Sequence, residues 1–175
     1  GVGGLKELER ESACIMRGEG ITETAPFAYQ IAFNLIPQIG GFADNDYTSE
    51  ELKMQNEGRK IMHLPELRFN CTCVRVPIMR SHSESITCEF DRPITPDEAR
   101  EILSAAPGVK LVDDPAQLRY PMPLDASDQD LVLVGRIRRD LSAPDGANAL
   151  TFFCCGDQIR KGAATNAVQI AEHLV

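Results

Sequence analysis

Four side chains in this sequence have types and spacings that could do chemistry: Glu50, Lys53, Arg75 and His82. Glu50 and Lys53 follow Thr48 in a Thr48-Ser49-Glu50-Glu51 capping box, so both fall on one face of a predicted helix start. Glu57 extends that face by another turn. The simplest reading is a solvated ion-pair ladder. The functional one is a helix start that offers a carboxylate and an ammonium to a zwitterionic or phosphorylated ligand. Arg75 lies in Val74-Arg75-Val76-Pro77-Ile78, which reads as a buried strand where an unpaired guanidinium is costly. It therefore requires a carboxylate, from the protein or from a ligand, and its planar fork suits one through two parallel hydrogen bonds. His82 follows a predicted bend and carries the side chain best matched to proton transfer near neutral pH. Strict alternation puts Arg75 and His82 on opposite faces, so their convergence depends on the bend near Pro77. Purely structural roles for both remain open at this point.

Other chemistries find little support. Gly1-Val2-Gly3-Gly4 has neither a preceding strand nor GxGxxG spacing, and no GxxxxGK[ST] loop is present. There is no GxSxG elbow, and no cysteine stands beside an obvious base. His63 and His173 lack partners at metal-ligand spacing, so no metal site is expected, and Met54 and Met62 read as core. The six cysteines, Cys14, Cys71, Cys73, Cys88, Cys154 and Cys155, are expected to be reduced. Cys71-x-Cys73 is not a CxxC motif, and Cys154 and Cys155 point to opposite faces of a strand. Residues 1–7 contain no apolar signal region, and no apolar run approaches the ~18 residues of a membrane span, so a soluble, cytoplasmic protein is expected. With 18 basic against 26 acidic residues, the net charge is −8, which argues against a nucleic-acid partner.

The elements that must hold these side chains can be read from caps, prolines and alternation. The length of 175 residues suits one domain, and 43% hydrophobic with 25% charged residues is an ordinary globular composition. A helix is predicted over residues 7–17, ended by Gly18 and Gly20, and residues 26–42 read as a buried, irregular connection. A helix over about residues 48–62 is followed by a strand at 67–78, apolar on both faces and so expected to be covered on both. A second strand at 83–90 leads to Thr95-Pro96-Asp97-Glu98, which caps a helix running to about Ala105. Residues 109–112 form a short strand, and 113–130 a long Pro- and Asp-rich loop. Residues 131–141 and 149–155 make a hairpin across Pro144-Asp145-Gly146, and a last helix covers 158–175. The class is α+β with a mixed, largely antiparallel sheet and helices packed on it.

Several stretches together resemble aspartate-semialdehyde dehydrogenases, specifically their C-terminal domain. They are the segment from Pro26-Phe27-Ala28 to Pro37, Glu50-Glu51-Leu52-Lys53-Met54-Gln55-Asn56-Glu57, Cys73-Val74-Arg75-Val76-Pro77 through His82-Ser83-Glu84, and Gly156-Asp157-Gln158-Ile159-Arg160-Lys161-Gly162-Ala163-Ala164-Thr165-Asn166. Tyr120-Pro121-Met122-Pro123-Leu124 and Val134-Gly135-Arg136-Ile137-Arg138 are also similar. The resemblance implies a substrate-binding and dimerisation domain over residues 1–175, with a glyceraldehyde-3-phosphate dehydrogenase-like C-terminal fold. It implies an NADP-dependent enzyme of lysine, threonine and methionine biosynthesis, interconverting L-aspartate 4-semialdehyde plus phosphate with L-aspartyl 4-phosphate. Arg75 would bind the substrate α-carboxylate, Glu50 its amino group and Lys53 the phosphate. His82 would be the general acid/base beside the thiohemiacetal, and Asn166 would lie near the nicotinamide. The sheet would form a homodimer or tetramer, and the helix over 158–175 would pack on an NADP-binding Rossmann domain absent from this chain.

The sequence also departs from the family pattern. The nucleophilic cysteine belongs upstream, so Asn70-Cys71-Thr72, which imitates its triplet, is read as part of a strand. Ser81 stands where a glycine commonly precedes the histidine. The isolated chain is accordingly expected to be inactive. Two alternatives remain: a related N-acetylglutamyl-phosphate reductase, and a non-catalytic dimerisation or anion-binding module.

Overall fold

The computed structural model describes residues 1–144 and 147–174, so Asp145 and Gly146 of the predicted turn and the terminal Val175 lie outside the described residues. The chain forms two compact units, Gly1–Met79 and Arg80–Val175.

In the first unit, helix α1 spans Val2–Met16, starting earlier than its glycines suggested. At Gly4 a Cβ would stand 2.6 Å from the Phe27 ring, so the bare glycine lets that ring pack on the helix. The helix buries Leu8 against Ile31, Ala32 and Ile36, with Ile15 and Phe27 alongside. The connection over residues 26–42 is buried only at those positions, since Tyr29, Phe33, Leu35 and Phe42 are exposed. Helix α2 spans Ser49–Ile61 and has the predicted capping box: the Thr48 amide donates to Glu51 Oε2 at 2.7 Å, and the Glu51 amide to Thr48 Oγ1 at 3.4 Å. Met62 is exposed and Met54 half-buried, so neither is a core residue.

The strand predicted over residues 67–78 does not form. Its one ladder contact among the described residues is the Ile36–Arg75 bridge, with amide-to-carbonyl distances of 2.9 and 3.1 Å. Side chains of α2 take the place of a partner strand. Arg59 Nε donates to the Leu67 carbonyl at 2.9 Å, Gln55 Nε2 to that of Phe69 at 3.4 Å, and the Cys73 amide donates to Glu51 Oε1 at 2.9 Å. Burial alternates along the segment, but only one face is covered; Val74 and Val76 on the other remain 37% and 42% exposed.

The second unit carries a four-stranded sheet in the order β1-β4-β3-β2, from β1 (His82–Glu89), β2 (Val109–Leu111), β3 (Val132–Arg139) and β4 (Ala149–Gly156). β4 pairs antiparallel with both β1 and β3, and β2 pairs parallel with β3, giving the expected mixed, largely antiparallel α+β sheet. Helix α3 (Pro96–Ala105), capped by Thr95 and Glu98, packs Ala99 on Ile137, Leu150 and Phe152. The opposite face packs Leu133 and Cys155 against Ala126 of α4 (Pro123–Ala126). Residues 113–130 thus contain α4 and a 3₁₀ turn at Pro115–Gln117 instead of loop throughout. The final helix begins as a π turn, Arg160–Ala164, before α5 (Thr165–Glu172). The Gly162 and Ala164 amides reach back to the Asp157 and Ile159 carbonyls at 2.9 and 3.0 Å. No helix among the described residues is long and apolar enough to cross a membrane.

β3 is interrupted by a bulge between Gly135 and Arg138, where Arg136 has φ 57°. The buried Asp113 carboxylate holds it, accepting from the amides of Arg136 at 2.7 Å and Ile137 at 3.2 Å and from Arg100 Nε at 2.8 Å. Gly135 admits no side chain, because a Cβ would stand 2.0 Å from the Val112 carbonyl oxygen and 2.8 Å from Pro121 Cδ. Gly135→Ala should therefore cost about 3 kcal/mol or more, as overpacking against backbone cannot relax through a rotamer. Chemical denaturation measures this, and a wild-type midpoint in the variant would refute it.

Candidate active-site residues

In the first unit, Glu50 and Lys53 are paired. Lys53 Nζ lies 3.0 Å from Glu50 Oε1, at the half-exposed head of α2, and this contact raises the lysine pKa. The capping box fixes the helix start, so both side chains emerge where the positive end of the helix dipole lies. Arg75 is expected from the sequence to require a carboxylate from the protein or from a ligand, and the chain itself does not supply one among the described residues. Its guanidinium carbon stands 5.0 Å from the centroid of the Phe27 ring, and among the described residues no carboxylate pairs with it. Half-burial makes the missing partner tolerable, and the aromatic face supplies part of what a counter-ion would. The Ile36 bridge fixes the backbone beneath it.

In the second unit, His82 opens β1, exposed and directly opposite Gly156. Its approach is tied down by residues that the motif reading passed over. Asp157 is fully buried; its carboxylate accepts from the amides of Asp128 (2.7 Å), Ile159 (2.8 Å) and Arg160 (3.0 Å) and forms an ion pair with Arg80 Nε at 2.8 Å. Arg80 also contacts Asp128 Oδ1 at 2.8 Å. Between Arg80 and His82, Ser81 adopts φ 77°, a conformation natural to glycine. The signal available in the sequence was Gly156-Asp157 after an apolar strand, an acidic residue placed to accept the amides of the turn that follows.

Asn166 sits exposed in the first turn of α5, with no hydrogen bond to its side chain among the described residues. The six cysteines are thiols. Burial pushes Cys73 up to about 11, and burial with the nearby Glu84 carboxylate pushes Cys154 up to about 12. Cys88 and Cys155 are raised by burial as well, so these four thiols are poorly suited to act as nucleophiles near neutral pH.

Comparison with known proteins decides which lineage carries this arrangement. The family profile "semialdehyde dehydrogenase, dimerisation domain" matches residues 1–161. The chain belongs to this family. Aspartate-semialdehyde dehydrogenase of Prochlorococcus marinus is 48% identical over 100% of this chain and 50% of the relative, and that of Bacillus subtilis is 50% identical over 97% and 50%. The crystal structure of aspartate semialdehyde dehydrogenase II complexed with ASA from Vibrio cholerae matches with a TM-score of 0.90 and 42% identity, covering 97% of this chain and 48% of that one. The chain spans about half the length of these relatives.

Within this dimerisation domain, the Asp157 cluster makes a prediction about acid. Burial pushes the Asp157 pKa up, but the amides of Arg160, Asp128 and Ile159 and the Arg80 guanidinium outweigh it and bring it down to about 2. The unfolded value is about 4, so its contribution is complete above about pH 4 and is lost as pH falls toward 2. Asp157→Asn should cost about 3 kcal/mol at neutral pH, because it leaves the partly buried Arg80 with one acidic partner fewer. Its stability should also fall less steeply between pH 4 and 2 than that of the wild type in urea titrations. Equal steepness in the two proteins would refute the assignment.

Proposed function

We propose that this chain is the substrate-binding and dimerisation half of an NADP-dependent aspartate-semialdehyde dehydrogenase, interconverting L-aspartate 4-semialdehyde plus phosphate with L-aspartyl 4-phosphate. The observation that carries the reading is Arg75: a guanidinium laid over Phe27, anchored through its own backbone, with its fork committed to no carboxylate among the described residues. A pre-oriented fork recognises an α-carboxylate through two parallel hydrogen bonds. Glu50 and Lys53 present complementary charges to the other ends of the substrate. The carboxylate suits a free amino group, and the ammonium suits the phosphate. The ion pair between them keeps each neutralised until a zwitterionic, phosphorylated molecule replaces it.

His82 is the acid/base in this reading. Its exposed imidazole can give or take the proton beside the thiohemiacetal formed on a cysteine, and the raised pKa values of Cys73, Cys88, Cys154 and Cys155 favour a nucleophile supplied by the other half of the enzyme. NADP, when bound, supplies or accepts the hydride. The exposed amide of Asn166, uncommitted among the described residues, is suited to hydrogen-bond the carboxamide of the nicotinamide. Pairing of two copies would use the sheet face of β1 that α3 leaves uncovered, where Ser83, Ser85 and Thr87 are exposed.

Steady-state kinetics on an enzyme joining this chain to the half that its relatives carry tests these roles. Arg75→Lys keeps the charge but loses the fork, and should raise the KM for semialdehyde about 10- to 100-fold. His82→Asn should lower kcat about 10²- to 10⁴-fold with little change in KM. A kcat of wild-type size in His82→Asn would overturn the acid/base assignment. Unaltered semialdehyde use in Glu50→Gln would remove the case for an amine-bearing substrate and favour an N-acylated one.

A further inference from the structure

We infer that Asp157, acting through Arg80, is the positioning residue for the His82 imidazole, with Gln158 and Ser127 completing the hold through Ser81. The functional value of this arrangement rests on reading His82 as the acid/base; the geometric claim does not. Among the described residues, the His82 ring makes no hydrogen bond. Its direction is therefore inherited from the backbone on either side. On one side lies the β1–β4 ladder, where His82 pairs with Gly156. On the other lies Ser81, a residue outside the sheet.

Ser81 is over-determined. It is 3% exposed and holds φ 77°, a left-handed conformation that is strained for an L-residue and persists only where neighbours enforce it. Its amide donates to Gln158 Oε1 at 2.8 Å. Its hydroxyl lies 3.0 Å from Ser127 Oγ, and Ser127 already donates its own proton to the Pro123 carbonyl at 2.8 Å, so Ser81 is the donor in that pair. One residue earlier, Arg80 bridges Asp128 and the buried Asp157. Asp157 directly follows Gly156, the residue opposite His82. One carboxylate thus fixes both the approach to His82 and the strand end it pairs with. The titratable groups that share the His82 face of the sheet are Glu84 and Cys88 along β1, and Cys154 opposite Glu84, with its Sγ 3.8 Å from Glu84 Oε2. None of these contacts the Ser81 anchor. Proton transfer tolerates displacement of only about 0.5 Å, so an imidazole with no partner of its own depends on such a hold.

The test uses two substitutions that leave the charge unchanged, so that any effect on His82 reports geometry. Arg80→Lys keeps the cation but loses the two-carboxylate bridge, and Gln158→Leu removes the acceptor of the Ser81 amide. NMR of the whole chain resolves three histidines, His63, His82 and His173. In both variants the His82 ring signals should shift or broaden, while those of His63 and His173 stay in place, which also reports that the fold is intact. In the joined enzyme, kcat should fall roughly tenfold at unchanged KM. Should Arg80→Lys fail to fold, Gln158→Leu alone carries the test. Unmoved His82 signals in a folded Gln158→Leu would overturn the inference. Moved signals together with full activity of His82→Asn would uphold the positioning and sink the acid/base reading instead.

Discussion

Backbone amides that find no partner in a ladder must find an acceptor elsewhere, and in this chain buried carboxylates supply it. Glu11 takes the amides of Ile31 and Ala32, Glu51 those of Thr48 and Cys73, Asp113 those of Arg136 and Ile137, and Asp157 those of Asp128, Ile159 and Arg160. Each case coincides with irregular backbone: the 26–42 connection, the 67–78 segment with its single bridge, the β3 bulge, and the turn that leaves β4. A carboxylate with several amide donors is a strong acceptor and stays ionised despite burial. The directions at Glu51 and Asp157 agree, both being held below the ordinary carboxylate range. The irregular stretches that a small sheet cannot organise are thus organised from α1, α2 and single turns.

This changes what the net charge of −8 means. Part of the acidic excess is internal and committed to backbone, so those carboxylates are not surface groups that a ligand would meet. The cations that matter for an anionic substrate are local ones, Arg75 over its aromatic ring and Lys53 at a helix start. Composition properly argued against a broad basic face, but it carried no information about these two side chains, whose environments depend on residues remote in sequence.

What could be read in advance follows the range of the interaction. The capping boxes at Thr48 and Thr95 are complete within four residues, and both helices begin where those residues place them. The antiparallel pairing of β3 with β4 depends on alternation along the two strands, and it too was legible. The segment over 67–78 misled because its alternation is real: burial does alternate, yet the covering partner is a helix whose side chains replace a ladder. The identities of Glu50, Lys53, Arg75 and His82 as reactive types were visible, but the Phe27 platform under Arg75 and the Ser81–Gln158 bond before His82 join residues far apart in the chain, where no periodicity points.

The stretch from Gly156 to Asn166 is then one mechanical unit. The Asp157 carboxylate gathers Arg80 and the turn amides, while its carbonyl oxygen accepts the Gly162 amide that opens the π turn. Asp130 secures the other side of that turn, pairing with Arg160 at 2.8 Å and accepting from the Thr165 hydroxyl at 2.7 Å. Asn166 follows directly. The residue proposed to meet the nicotinamide and the residue proposed to move the proton therefore hang from opposite sides of the same aspartate. Hydride and proton must be delivered to one carbon and its oxygen in register, and a shared anchor keeps small movements of the two groups correlated instead of independent.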